Sequence, residues 1–301
     1  MSAAKAEDVL AAKLFMSAAF PVMKIPLTED ESFVKKFENV NLVVEFDVDD
    51  DKEPLACYLV FLSEQKANEL HDGIRFKVYQ GKYDNRFNGI KVATLHFKTV
   101  ESFLGVLKGN NPSEMLGIVP PIIKNIVKPG FLNFVFLFLS LTKMMPDNVP
   151  EKDKPFEQYL KVKMSLYMIT TAMSKANRLG YKPFADWCAP QTDRIYQFKV
   201  GPTKDASGKE IYPEIGAFLR IKKGKTKAGR GFYERKKPFV LLSFPDPDGC
   251  IAVLSNKYGG FVEAVAHNCV QIVGAGDSYA NQFNDQMTGI QNMLIPSKFV
   301  Q

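Results

Sequence analysis

One order of strands and helices is written twice along this chain of 301 residues. In the first half a helical opening at 8–23 leads to 41–48 (NLVVEFDV) and 56–62 (ACYLVFL), runs rich in the β-branched and aromatic residues that strands favour. Residues 74–79 and 92–97 follow; in the latter Ala93, Leu95 and Phe97 alternate with Val92, Thr94 and His96 at the period of a half-buried strand. Val100, Phe103, Leu104 and Leu107 then recur at three- and four-residue steps, which predicts a helix from Thr99 that Gly109 and Pro112 stop. Further apolar helices extend to Met145. In the second half a long helix at 156–179 precedes strands at 195–200, 217–222 and 239–244, a helix at 258–267, a strand at 269–273 and a last helix at 279–294. Between the halves, PDNVPEKDKP at 146–155 has three prolines among charges, which places a linker there and domains at 1–150 and 151–301.

The two halves can be laid over each other. Residues 95–109 match 242–256 without a gap, pairing Leu95 with Leu242, Phe97 with Phe244, Val106 with Val253 and Leu107 with Leu254. The first strand pairs Phe46 with Phe198 and Val48 with Val200, and the second pairs Ala56 with Ala217. The halves read as divergent tandem copies of one α+β domain, the second with a longer first loop (GPTKDASGKE).

With 46% hydrophobic and 24% charged residues, the chain is a globular one, and disorder, collagen and coiled coil are excluded. Cys57, Cys188, Cys250 and Cys269 form no C-x-x-C pair, so neither a zinc ribbon nor a disulfide scaffold is expected, and a reducing compartment fits. Glu7 and Asp8 precede the apolar run 14–23, where a signal peptide would carry cations, so a cytoplasmic location is expected. The run 131–141 (FLNFVFLFLSL) is too short to span a bilayer, yet its phenylalanines cover several faces, and protein core, a lipid-like ligand or a bilayer surface must cover them. The formal charge of +6 is concentrated in 222–237, where eight Lys or Arg face one Glu.

These segments resemble the sterol carrier protein type 2-like lipid-binding domains. In the second copy AFLRIKKGKTKAG, KPFVLLSFPDPDGCIAVLSNK and CVQIVGAGDSYANQFNDQMTGIQNML follow that family's order of strand with Gly-Lys turn, strand with Asp-containing helix start, and last strand with amphipathic helix. In the first, NLVVEFDV, ACYLVF and ATLHFKTVESFLGVLKGNNP carry the likeness, and IVPPIIKNIVKPG departs from it with proline breaks at the position of the final strand. The resemblance implies two tandem domains, each a mostly antiparallel five-stranded sheet with helices on one face. It also implies an apolar tunnel between sheet and helices for a fatty acid, acyl-CoA, sterol or related lipid, with no catalytic residue and no cofactor. Apolar helix faces place Phe103, Leu107, Ile122, Phe134, Leu137, Phe138 and Leu141 along such a tunnel in the first copy. Phe244, Phe261, Val265, Phe283, Met287 and Ile290 take that place in the second. The methionines clustered on the helices suit a variable apolar guest as well as a filled core.

Several short motifs carry other candidate chemistry. Gly274-Ala275-Gly276-Asp277 resembles the anion hole and catalytic Asp of ribokinase-type kinases, but Ile272 and Val273 stand where those carry Asp-Thr, and regular βα alternation is missing. A strand-to-helix turn capped by Asp277 or Ser278 is the plainer reading. The glycines also fall short of a dinucleotide fingerprint. His71, His96 and His267 sit singly, and DVDDD at 47–51 lacks the Gly and Glu of a calcium loop. Lys222, Lys223, Lys225, Lys227 and Arg230, with few interleaved aromatics, suit an anionic membrane surface better than nucleic acid. The expectation is therefore a non-catalytic carrier of a lipid or acyl-CoA-like molecule. Its main alternative is an accessory subunit whose apolar helices pack on a homodimer or enzyme partner.

Overall fold

The computed structural model describes residues 5–49, 55–108, 119–205 and 207–295. The chain divides into units 1–141 and 142–301. The proline-rich segment 146–155 thus belongs to the second unit instead of standing between the two; its prolines prevent a helix there but do not prevent packing.

The first unit opens with α1 (Ala6–Leu14), which passes through a π turn and a 3₁₀ turn into α2 (Lys24–Glu29). Pro21 and Pro26 withhold backbone donors along this stretch, which accounts for its irregular hydrogen bonding. By length and composition Ala6–Glu29 could cross a membrane, yet 67% of its most apolar window is buried in the fold. Phe20 sits there 4.7 Å from Phe46. After α3 (Glu31–Lys36), whose cap Asp30 accepts from the Ser32 N–H, come β1 (Leu42–Val48) and β2 (Leu55–Phe61), then α4 (Glu64–Leu70), β3 (Phe76–Gln80), β4 (Lys91–Phe97) and α5 (Val100–Lys108). The unit ends with α6 (Val119–Asn125) and α7 (Phe131–Ser140).

The sheet order is β3-β2-β1-β4, with β1 antiparallel to β2 and parallel to β4. The expected fifth strand is absent among the described residues: Pro120 and Pro121 lie in the first turn of α6, where a missing N–H is tolerated, and Pro129 follows it. Side chains stand in for it. Asn125 Nδ2 donates to the Thr94 carbonyl at 3.1 Å and Lys128 Nζ to the Val92 carbonyl at 2.5 Å, so donors from α6 and the turn after it meet the free edge of β4. Helices on one face alone is also corrected: α4 lies on the opposite face, where its Ala67 packs with Val43, Tyr58, Val60 and Phe87.

The second unit begins with α8 (Pro155–Arg178) and α9 (Lys182–Cys188), then β5 (Asp193–Val200). The long loop forms a ribbon of β6 (Thr203–Lys204) and β7 (Glu210–Tyr212), whose Tyr212 stacks on Tyr159 at 5.0 Å. The hairpin β8 (Ile215–Lys222) and β9 (Lys225–Arg230) follows, then β10 (Val240–Phe244), α10 (Pro247–Leu254), α11 (Phe261–Ala266), β11 (Gln271–Gly274) and α12 (Asp277–Leu294). The order β11-β10-β5-β8-β9, with β5 and β10 parallel, is that of the first unit with a fifth strand added.

Register makes the duplication explicit. Phe46 faces Leu95 and Val48 faces Phe97 in one sheet, while Phe198 faces Leu242 and Val200 faces Phe244 in the other. The pairing of Ala56 with Ala217 is off by one. Phe46 faces Cys57 while Phe198 faces Ala217, so Cys57 is the counterpart of Ala217 and Ala56 that of Gly216. A slip of one residue would turn every side chain of the strand to the other face.

Candidate ligand-binding site

The inner face of the first sheet is filled by the chain's own rings. Phe46 lies within 6.1 Å of Phe103 and Phe134 and 5.8 Å from Phe138, and Phe103 lies 5.2 Å from Phe97. Phe103, Leu107, Phe134, Leu137 and Leu141 are buried, and Ile122 and Phe138 are half-buried. In the second unit Phe283 stacks on Tyr196 at 4.6 Å and lies 5.5 Å from Phe198. Phe244, Met287 and Ile290 are buried, and Phe261 and Val265 are half-buried on α11. Most of the side chains expected along a tunnel thus contribute to two aromatic cores.

Open volume lies elsewhere in the second unit. A cleft of about 810 Å³ runs between the end of α10, α11 and α12, and of the expected residues Phe261 and Met287 line it. The sequence forms this cleft for local reasons. Asn256 and Gly259 take left-handed conformations that turn the chain away from α10, so α11 starts apart from it. Gln291, buried on α12, donates from Nε2 to the Leu254 carbonyl at 3.1 Å and ties the two helices together at that point. Leu254, Phe261 and Met287 supply apolar surface, and Asn281, Asn284 and Asn292 supply amides. Glu263 and Asp285 add two carboxylates, and among the described lining residues there is no Lys, Arg or His. This polar wall escaped sequence reading because amides on an amphipathic helix look like an ordinary solvent face.

A second cleft, about 730 Å³, lies between the 146–152 segment and the start of α10, and a third, about 310 Å³, lies beside Phe61 and Phe76 in the first unit. Neither contains an expected lining residue. Lys161 is buried on α8, where it donates to the Met145 carbonyl at 2.7 Å, and burial pushes its ammonium down to about 8.

The basic residues are split by the hairpin. Lys223 and Gly224 form its turn with positive φ, and Lys222, Lys223, Lys225 and Lys227 are exposed together at the tip. Arg230 stands apart over the Tyr167 ring at 5.2 Å.

The glycine-rich turn has a structural explanation. Gly274 has φ +115, and a Cβ there would lie 2.4 Å from the Phe239 carbonyl oxygen; the next amide, of Ala275, donates to that same oxygen at 2.8 Å. Asp277 opens α12 exposed to solvent. His71 bonds Ile74 and Tyr79, His267 stacks on Tyr258 at 4.1 Å, and His96 lies 3.3 Å from Asp49 and 3.6 Å from Asp47. Among the described residues no group of three His, Cys, Asp or Glu is placed to hold a metal, and residues 50–51 of the acidic run lie outside them. The four cysteines are free and buried, and burial raises the thiols of Cys57, Cys188 and Cys250, as befits packing groups.

No known family matches the chain, and no curated protein matches it.

Proposed function

We propose that the protein binds an amphipathic, lipid-like molecule without turning it over, and that the cleft between α10, α11 and α12 receives it. The observation that carries this reading is the cleft itself: about 810 Å³ of open volume, with Leu254, Phe261 and Met287 beside amides and carboxylates. Small-molecule pockets commonly measure roughly 300–1,000 Å³ and combine apolar walls with a few fixed polar groups. Burying about eight methylenes at about 0.8 kcal/mol each supplies roughly 6 kcal/mol before the costs of association.

The lining selects among lipids. Two carboxylates and several amides without a cation disfavour a carboxylate or phosphate head and suit a hydroxyl or an amine. A sterol or long-chain alcohol therefore fits better than a fatty acid or acyl-CoA. The repeated sheet topology supports a tandem of the kind expected from the sequence, with the first unit, its interior occupied by Phe46, Phe103, Phe134 and Phe138, serving another role.

Organic extraction of the purified full chain followed by mass spectrometry, together with displacement of a fluorescent sterol, tests the reading. Bound apolar molecule and displacement are expected, both weakened by Thr288→Trp, which fills the cleft from an exposed wall position. An extract free of such molecules together with no displacement would sink it.

A further inference from the structure

The first unit carries apolar surface that its own fold leaves open. On α6 and the turn after it Ile123 is 63% exposed, Val127 83% and Ile126 47%; on α7 Leu132 is 47%, Phe136 48% and Leu139 45% exposed. This surface has two parts. On α7 Leu132, Phe136 and Leu139 lie at steps of four and three and share one helical side as a stripe, and Ile123 on α6 with Ile126 and Val127 in the turn after it make the other exposed apolar group. The opposite side of α7 holds Phe131, Phe134 and Leu137 in the core, which fixes the outward direction of the stripe.

Within this segment the formal charges have one sign. From Val119 to Pro146 the sequence contains Lys124, Lys128 and Lys143 and no Asp or Glu. Lys124 is exposed beside Ile123, and Lys36 brings its Nζ to 5.5 Å from the Phe136 ring centre, at the border of the α7 stripe. Protruding aliphatic and aromatic side chains bordered by lysines are what an interfacial helix presents to anionic lipid, its apolar face entering the acyl boundary while cations remain among the headgroups.

We propose that α6, the turn after it and α7 dock the first unit on an anionic membrane surface, with Val127, Leu132 and Phe136 inserted. This assignment stands apart from the cleft in the second unit, and it names a surface different from the lysine-rich hairpin.

Flotation of the full chain with phosphatidylcholine vesicles, with and without phosphatidylserine, tests it. Binding is expected to the phosphatidylserine vesicles and to fall roughly tenfold or more in Val127→Glu/Phe136→Ser, and likewise in Lys124→Glu/Lys36→Glu. Both pairs are surface changes, and circular dichroism and the thermal midpoint verify that they fold. Lys225→Glu/Lys227→Glu in the hairpin is expected to retain binding. A tryptophan placed by Val127→Trp is expected to shift its emission to the blue only with phosphatidylserine vesicles. The proposal is overturned if the wild-type chain leaves both vesicles unbound, if the first pair binds as well as wild type, or if the hairpin pair alone abolishes binding. It is overturned too if this surface instead holds two copies together, seen as a dimer that Val127→Glu/Phe136→Ser converts to monomer without any vesicle binding.

Discussion

The backbone N–H of Tyr233 donates to the side-chain oxygen of Gln197 at 3.0 Å, and its ring meets Phe218 at 5.1 Å and 71°. The first unit repeats this arrangement: Tyr83 donates to Glu45 at 2.9 Å, and its ring meets Tyr58 at 5.1 Å and 71°. Glu45 faces Tyr58 in one sheet as Gln197 faces Phe218 in the other, so both crossover loops are fastened at the same point of the same strand. Gln197→Ala should remove that tether and cost about 1 kcal/mol. A urea midpoint unchanged in Gln197→Ala would contradict it. Glu45→Ala, which also releases the Thr94 hydroxyl, should cost somewhat more.

Gly274→Ala should destabilise the second unit by roughly 2–4 kcal/mol, since the added methyl meets the Phe239 carbonyl at a φ few other residues accept. Asp277→Asn, at an exposed helix start, should cost less than about 1 kcal/mol. Thermal melts of the two variants, with an ATP turnover assay alongside, check the comparison. Turnover lost in Asp277→Asn would revive phosphoryl transfer.

Lys161 supplies a pH dependence whose sign follows from its surroundings. Its ammonium is pushed down to about 8 by burial, below its value of about 10.4 in an unfolded chain. Between those values the unfolded state binds more protons, so folding stability rises with pH across that window and is flat below it. Wild type should therefore gain roughly 3 kcal/mol on Lys161→Met between about pH 8 and pH 10.5. Comparing the two proteins cancels the opposing effect of the Cys57 and Cys188 thiols, while loss of the Lys161 charge in Lys161→Met raises the neighbouring Cys250 thiol further and acts in the same direction. Urea midpoints for the pair at neutral and at alkaline pH would show no change in their difference if the burial argument fails.

Head-group choice at the cleft offers a sharper test of ligand chemistry. A long-chain alcohol or amine should displace the fluorescent probe at roughly tenfold lower concentration than the acid of equal chain length. Asp285→Asn/Glu263→Gln should narrow that gap. Equal potency of acid and amine in wild type would show that the carboxylates do not face the ligand.

Much of the fold was legible from residues. Alternation at 92–97 located β4, and the match of Leu95 and Phe97 with Leu242 and Phe244 is the match that sheet register also gives. Alanine carries little pattern, which is why the sequence match aligns Ala56 with Ala217, one position from its true counterpart. The Tyr83 and Tyr233 tethers were invisible because the donors are main-chain groups and the acceptors lie 38 and 36 residues away. Of the expected lining residues only Phe261 and Met287 reach the cleft, because apolar periodicity reports which side of a helix faces inward and not whether a neighbouring ring already fills that space.

Asn125 and Lys128 close the border of β4 with two side chains where the second unit uses a whole strand. A strand can be displaced only by unfolding part of its unit, but a side chain is removed by a single codon change. The first unit is therefore the half in which mutation most readily creates a sticky end, and self-templated stacking of chains should begin there.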